Sequence, residues 1–110
     1  MKKDPIRYIS LAAKAGKLTS GADDCEQTIR RGKGSLLILA ADAGANTEKR
    51  ASQMVSNRPV RLIRTPYKKT ELAAAIGRGS SVALALVTDK GLAEAFVTAA
   101  ANGMEQEEQI

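Results

Sequence analysis

Histidine and tryptophan are absent from the chain, cysteine occurs once, and three residues are tyrosine or phenylalanine. Without histidine, and with Cys25 alone, the chain lacks the usual nitrogen and sulfur ligands of a zinc site and has no imidazole for general base catalysis. So few aromatic rings also disfavour a surface that stacks single-stranded bases. We therefore expect a protein that is not an enzyme and that holds no metal or cofactor.

Long hydrophobic runs are absent as well. No purely apolar run is longer than Val82–Val87, which is far too short to span a bilayer. No apolar segment follows the first four residues, so no signal peptide is expected. The single Cys25 cannot form an internal disulfide, which together with these absences favours a cytoplasmic protein that does not contact membranes.

Length and charge favour one basic domain. A chain of 110 residues is enough for a single core, and we expect a domain over residues 1–103 and an acidic, disordered tail over 104–110. The last ten residues contain three acids and no base, so residues 1–100 carry 17 bases against nine acids, a net charge of +8. A small basic body favours a polyanionic partner, nucleic acid first, although many small domains are basic without such a partner.

Helices and strands are predicted to alternate along the whole chain. Helices are expected over residues 4–15, from Ser20 to Gly32, from Asn46 or a neighbour to residue 57, over 71–76, and from Thr88 or Asp89 to Asn102-Gly103. Strands are expected at residues 17–19, 35–40, 60–64 and 82–87. Continuous apolar strands separated by helices predict an α/β fold, a three-layer α/β/α sandwich.

Two local motifs have residue types found in catalytic or phosphate-binding sites. Asp23, Asp24 and Glu26 crowd the start of the second helix, where acids more often cap N–H groups and complement the helix dipole than catalyse. We also expect a capping box between Ser20 and Asp23. The segment Gly77–Ser81 is glycine-rich but lacks the lysine and the context of a P-loop, so a turn is favoured.

The predicted topology gives a more specific indication. The start of the second helix, the loop after strand 35–40 and the loop before strand 82–87 are expected at one end of the sandwich. Basic residues occur near these points in the sequence: Lys14, Lys17, Arg30, Arg31, Lys33, Lys49, Arg50 and Arg78. Their grouping depends on the topology, since a solvated surface would explain each one singly.

Several segments resemble one known family. The run Ser20–Asp24 leading into Thr28–Gly32 resembles the segment that opens the second helix of the L7Ae/L30e ribosomal protein family. Leu36–Ala40 followed by Asp42, the segment Glu71–Gly77, and the last strand running into Thr88–Gly91 resemble the family too. Order and spacing agree over roughly residues 4–100, and residues 42–47 are most similar to the bacterial YlxQ-like branch.

This resemblance implies an L30e-like sandwich with a mixed central sheet of about four strands, and an RNA-binding role. Many members recognise kink-turns, in which a bulge lies beside tandem sheared G·A pairs. The surface implied is the start of the second helix with the loop before the last strand. The residues implied to bind RNA are Lys17, Gly21, Ala22, Asp23, Asp24, Gln27, Arg31, Lys33, Arg78, Gly79, Ser80 and Ser81.

Three of these positions differ from the pattern of kink-turn binders. Asp23 stands where those proteins usually have Asn, Asp24 where they have Glu, and Gln27 where they have Lys. A carboxylate only accepts hydrogen bonds, whereas an Asn side chain both donates and accepts. The missing Lys removes about one phosphate contact.

The sequence is therefore compatible with two alternative functions. The first is a non-enzymatic protein that binds structured RNA, ribosomal RNA and kink-turns among the candidates. The second is a protein-interaction module that has lost specific RNA recognition and is associated with the ribosome or with translation or transcription factors. The double acid at Asp23-Asp24 favours the second, and the +8 body favours the first. A monomer is expected in either case.

Overall fold

The computed structural model describes residues 4–108, with side chains as far as residue 101. Five helices and four strands alternate over these residues. The helices are α1 (Ile6–Lys14), α2 (Ala22–Arg30), α3 (Ala45–Val55), α4 (Lys69–Ile76) and α5 (Lys90–Glu108). The strands are β1 (Leu18–Ser20), β2 (Leu36–Leu39), β3 (Arg61–Arg64) and β4 (Leu84–Val87).

The four strands form one mixed sheet in the order β1-β4-β2-β3. Strand β4 is antiparallel to both of its neighbours, β1 and β2, whereas β2 and β3 are parallel. The two parallel strands are joined through α3, as a parallel connection requires. The predicted α/β sandwich with a mixed sheet of four strands is confirmed.

The apolar strands are buried on both faces because helices cover each side of the sheet. In β2, Leu36 and Ile38 pack in one cluster with residues of α1, α4 and α5, including the buried Phe96. Leu37 and Leu39 point the other way and pack with residues of α2 and α3. Side chains alternate along a strand, so a continuous apolar run serves both cores at once.

The ends of several elements differ from the sequence-based prediction. Ser20 belongs to β1, paired with Ala85, and α2 begins after Gly21 without a side-chain cap, so the predicted capping box was wrong. Strand β4 begins at Leu84 because the N–H of Val82 donates to the carbonyl of Lys69 and not to a neighbouring strand. Helix α3 follows Gly44 and not Asn46.

The C-terminal helix is also longer than predicted. Asp89, one of the two residues expected at the start of this helix, caps α5: its carboxylate accepts a hydrogen bond from the N–H of Leu92 at 2.8 Å. The helix then passes through Asn102-Gly103 to Glu108, so its predicted end was wrong. A helical glycine costs only about 1 kcal/mol and no proline follows it. Residues 109–110 and the side chains after residue 101 lie outside the described residues, so the boundary of the tail stays a prediction.

Gly34 offers a test of the packing between α2 and the sheet. Its φ is +113°, and a Cβ at this position would lie 2.9 Å from Cδ1 of the fully buried Leu86. Gly34→Ala should therefore lower the free energy of unfolding by about 2–3 kcal/mol in urea titrations.

Gly16→Ala is the matched control. Gly16 also has a positive φ, +72°, but nothing lies within 4 Å of its Cβ position. Backbone strain alone should cost about 1 kcal/mol there. Equal losses of stability in the two variants would show that Leu86 moves away without cost.

Candidate nucleic-acid interface

Three segments meet at one edge of the sheet because β4 is antiparallel to both neighbours. The last residue of β1, Ser20, pairs with Ala85, and the last residue of β2, Leu39, pairs with Leu84. The chain that leaves β1 and β2 therefore lies beside the chain that enters β4. We name this the α2 edge: the start of α2 (residues 21–24), the loop after β2 (41–44) and the loop before β4 (77–83). The predicted meeting of these segments is confirmed.

A cleft of about 270 Å³ runs between β1, α2 and the loop before β4. Its lining is mostly polar and includes four residues that the sequence implied as RNA-binding: Asp24, Gln27, Arg31 and Arg78. All four are exposed. The cleft thus places two guanidinium groups beside a carboxylate and an amide, a set that can contact both phosphates and base edges.

The start of α2 is open to solvent. Gly21 precedes the helix with a φ of +93°, and nothing lies within 4 Å of the position that a Cβ would take. Its own N–H donates to the carbonyl of Leu84 at 3.0 Å, which ties the helix to the beginning of β4. No side chain caps the helix at this end, so N–H groups of its first turn are available to an anion.

Arg50 of α3 offsets the acids of α2. Its Nη2 donates to Asp23 Oδ1 at 2.7 Å and to Glu26 Oε1 at 3.0 Å, and the second oxygen of Glu26 accepts from Arg30 at 3.3 Å. These hydrogen bonds raise the pKa of Arg50 above its ordinary value. Among the described residues Asp24 has no such ion pair, so its carboxylate is left to the cleft.

Other implied residues lie apart from the cleft. Gly79, Ser80 and Ser81 are exposed in the loop before β4, at the α2 edge but not in the cleft lining. Lys17 and Lys33 lie at the opposite edge of the sheet, before β1 and before β2. The N–H of Thr88, just after β4, donates to the carbonyl of Lys17 at 2.9 Å.

Three further residues line the cleft that were not expected to bind RNA: Thr19, Ser20 and Thr28. Ser20 and Thr28 belong to the segments that resemble the family, but their place in the cleft depends on β1 lying beside α2. Arg50 had a partial signal as a base near the start of the third helix, but its pairing with Asp23 depends on the packing of α3 against α2.

Cys25 anchors the first turn of α2 in the core. Its side chain is fully buried, and its S–H donates to the carbonyl of Thr19 at 3.4 Å. Burial, with the nearby carboxylate of Asp24, raises the pKa of the Cys25 thiol to about 12. The thiol is therefore a packing group in the core and not a nucleophile.

Among residues 4–101, no group of three or more cysteine, aspartate or glutamate side chains is placed to hold a metal ion. No helix in the described part of the chain is long and apolar enough to cross a membrane.

Comparisons with known proteins agree with this fold. Residues 6–97 match the sequence model of the ribosomal protein L7Ae/L30e/S12e/Gadd45 family. A Bacillus subtilis protein, "RNA-binding protein YlxQ", is 31% identical over 93 residues, which cover 82% of this chain and 88% of that protein.

Two solved structures share the fold. A Bacillus halodurans protein of unknown function superposes with a TM-score of 0.80 at 23% identity, covering 87% of this chain and 95% of that one. A 15.5 kDa RNA-binding protein of Giardia lamblia gives a TM-score of 0.72 at 18% identity, covering 88% of this chain and 82% of that one.

Labelling of Cys25 tests whether α2 stays docked. At pH 8 the buried thiol of the folded protein should be protonated and shielded. We expect a thiol reagent to label the folded chain at least about 1,000-fold more slowly than the chain in urea, because labelling requires opening of the structure. Comparable rates would show that the first turn of α2 detaches readily from the sheet.

Proposed function

Because the chain belongs to the ribosomal protein L7Ae/L30e/S12e/Gadd45 family, we propose that it binds structured RNA through its α2 edge. The observation that carries the proposal is the cleft, which is lined both by Arg31, the residue that follows α2, and by Arg78 of the loop before β4. The name of the Bacillus subtilis relative, an RNA-binding protein, supports the same function. No catalytic step is part of it.

Phosphate contacts would provide most of the affinity. Arg31 and Arg78 flank the cleft from two elements, and each guanidinium can hold a phosphate with two hydrogen bonds. The uncapped start of α2 adds backbone N–H groups, and the lack of a side chain at Gly21 leaves room for the RNA backbone to approach. These contacts set the position of the RNA but carry no sequence information.

Base contacts would come from two other residues that line the cleft. The carboxylate of Asp24 can accept hydrogen bonds from guanine N–H groups, and the amide of Gln27 can both donate and accept. An RNA that presents guanine edges in a widened groove fits this pair. A kink-turn, in ribosomal or other non-coding RNA, has such a groove beside its sheared G·A pairs, so we propose it as the RNA that this edge binds.

Arg50 makes an acidic helix start compatible with this partner. Asp23 and Glu26 would repel phosphates, but both are hydrogen-bonded to one guanidinium. The pair with Asp23 also draws that carboxylate towards α3. Asp24 is then the acid of the first turn that faces the cleft.

A binding titration against two RNAs tests the proposed function. One is a kink-turn duplex and the other a matched duplex without the bulge and the G·A pairs, each measured at two salt concentrations. We expect a preference for the kink-turn that persists at the higher salt. Arg78→Ala should weaken binding to the kink-turn and reduce the slope of log K against log salt by about 1, as loss of one phosphate contact does.

Lys49→Ala is the matched control, since Lys49 is an exposed base outside the cleft. It should leave the kink-turn preference unchanged. Equal, salt-sensitive binding to the two RNAs would contradict kink-turn recognition. Absence of binding to either RNA would instead favour the protein-interaction module.

The role of Arg50 is tested by a double-mutant cycle. Arg50→Gln should weaken kink-turn binding about fivefold, because it leaves two uncompensated carboxylates near the phosphates. Asp23→Asn in the Arg50→Gln background should restore part of the affinity, since it removes one of these charges. Additive effects of the two substitutions would show that the ion pair is unrelated to binding.

A further inference from the structure

At the edge of the sheet opposite the α2 edge, a basic residue lies at or close to the end of every strand. Following the sheet order, these are Lys17 before β1, Lys90 after β4, Lys33 before β2, and Arg58 and Arg61 at the beginning of β3. We name this set the basic edge. It spans the width of four strands, about 14 Å.

Backbone hydrogen bonds bring the ends of the four strands level with one another at this edge. The N–H of Thr88 donates to Lys17, the N–H of Ser35 to Val87, and the N–H of Arg61 to Ser35. Neighbouring strands are therefore in register up to this edge. A groove of about 560 Å³ between α5 and β3 also brings Arg61 and Lys90 to the same opening.

No residue of the basic edge forms an ion pair with an acid among the described residues. The ion pairs in this part of the chain use Arg30, Arg50 and Arg64, and none uses a residue of the basic edge. All five side chains are exposed. Arg58 donates to the carbonyl of Ile29, which orients its guanidinium without removing its charge.

Acids at this edge are few. Asp89 is occupied in capping α5, and Glu94 lies in the groove with Arg61 and Lys90. At the α2 edge, by contrast, Asp23, Asp24 and Asp42 follow the ends of β1 and β2. The excess positive charge is thus concentrated at the edge of the sheet opposite the α2 edge.

We propose that the basic edge binds the phosphate backbone of an RNA duplex, so that one chain holds two RNA segments at opposite edges of its sheet. The second segment is recognised by charge and not by base sequence, because the edge offers cations and no set of convergent hydrogen-bond acceptors. A row of cations about 14 Å long matches several successive phosphates along one strand of a duplex. The claim of two segments depends on the proposed function, whereas the duplex contact does not.

The duplex contact is tested with a fully paired RNA of about 16 base pairs, the length that double-stranded RNA-binding domains span. The variant is the full chain with Arg61→Gln and Lys90→Gln, two residues that play no part in the cleft. We expect its affinity at low salt to fall about tenfold and the slope of log K against log salt to drop by about 2.

The control variant carries Arg7→Gln and Lys68→Gln. It loses the same charge from two exposed side chains that belong neither to the basic edge nor to the cleft. If binding depends on the position of the charges and not on the net charge, the affinity of this control for the duplex should change less than twofold. Equal losses in the two variants would overturn the proposal, as would a chain that binds an acidic protein but no duplex RNA. Thermal melts confirm that each variant is folded.

A capture experiment tests whether the two edges act together. Immobilised kink-turn RNA should retain the chain, which should then capture a labelled plain duplex from solution. Arg61→Gln with Lys90→Gln should weaken capture about tenfold and leave retention unchanged, whereas Arg78→Ala should reduce retention. Competition between the RNAs for one site would overturn the two-segment arrangement. If the immobilised kink-turn RNA did not retain the chain, the proposed function would be contradicted. The titration with the plain duplex would still show whether the basic edge binds duplex RNA.

Discussion

The pairing of β4 with β1 and β2 is the constraint on which the rest of the structure depends. All four residues of β4 are buried, and their backbone groups are bonded on both sides to antiparallel neighbours. Because of this orientation, the chain entering β4 meets the chain leaving β1 and β2. The same pairing sends Lys17 and Lys33 to the far edge. One buried strand therefore decides which polar residues can act together and which cannot.

Charged side chains are distributed unevenly between the two edges of the sheet, and hydrogen bonds offset some of the negative charges. At the α2 edge, the acids of the first turn of α2 are partly offset by Arg50, which leaves Asp24 facing the cleft with Arg31 and Arg78. At the basic edge, the cations are exposed and have no acidic partner within the described residues. The first arrangement suits recognition of base edges, and the second suits attraction of phosphates. The net charge alone would not distinguish them.

The fold was largely predictable because its signals are local or periodic. The apolar runs in β2 and β4 indicated strands covered on both faces, and Asp89 indicated the start of α5. The boundaries that failed are those where distant backbone groups compete. Ser20 looks like a helix cap in the sequence, but pairing with Ala85 draws it into β1. Val82 looks like strand, but its N–H bonds to Lys69.

The candidate site was predictable in its parts and not in its arrangement. Composition excluded a histidine-based site, alternation indicated a three-layer sandwich, and a segment-by-segment resemblance indicated which loops matter. These properties follow from the order of residues along the chain, because secondary structure and burial are governed mainly by neighbours and by periodicity. Which side chains share a cleft depends on strand order and direction. The tertiary structure alone therefore decided that Arg31 and Arg78 line one cleft and that Arg50 pairs with Asp23, because these residues are distant in sequence. It also decided that Lys17 and Gly21 lie at opposite edges of the sheet, because this depends on the direction of β1.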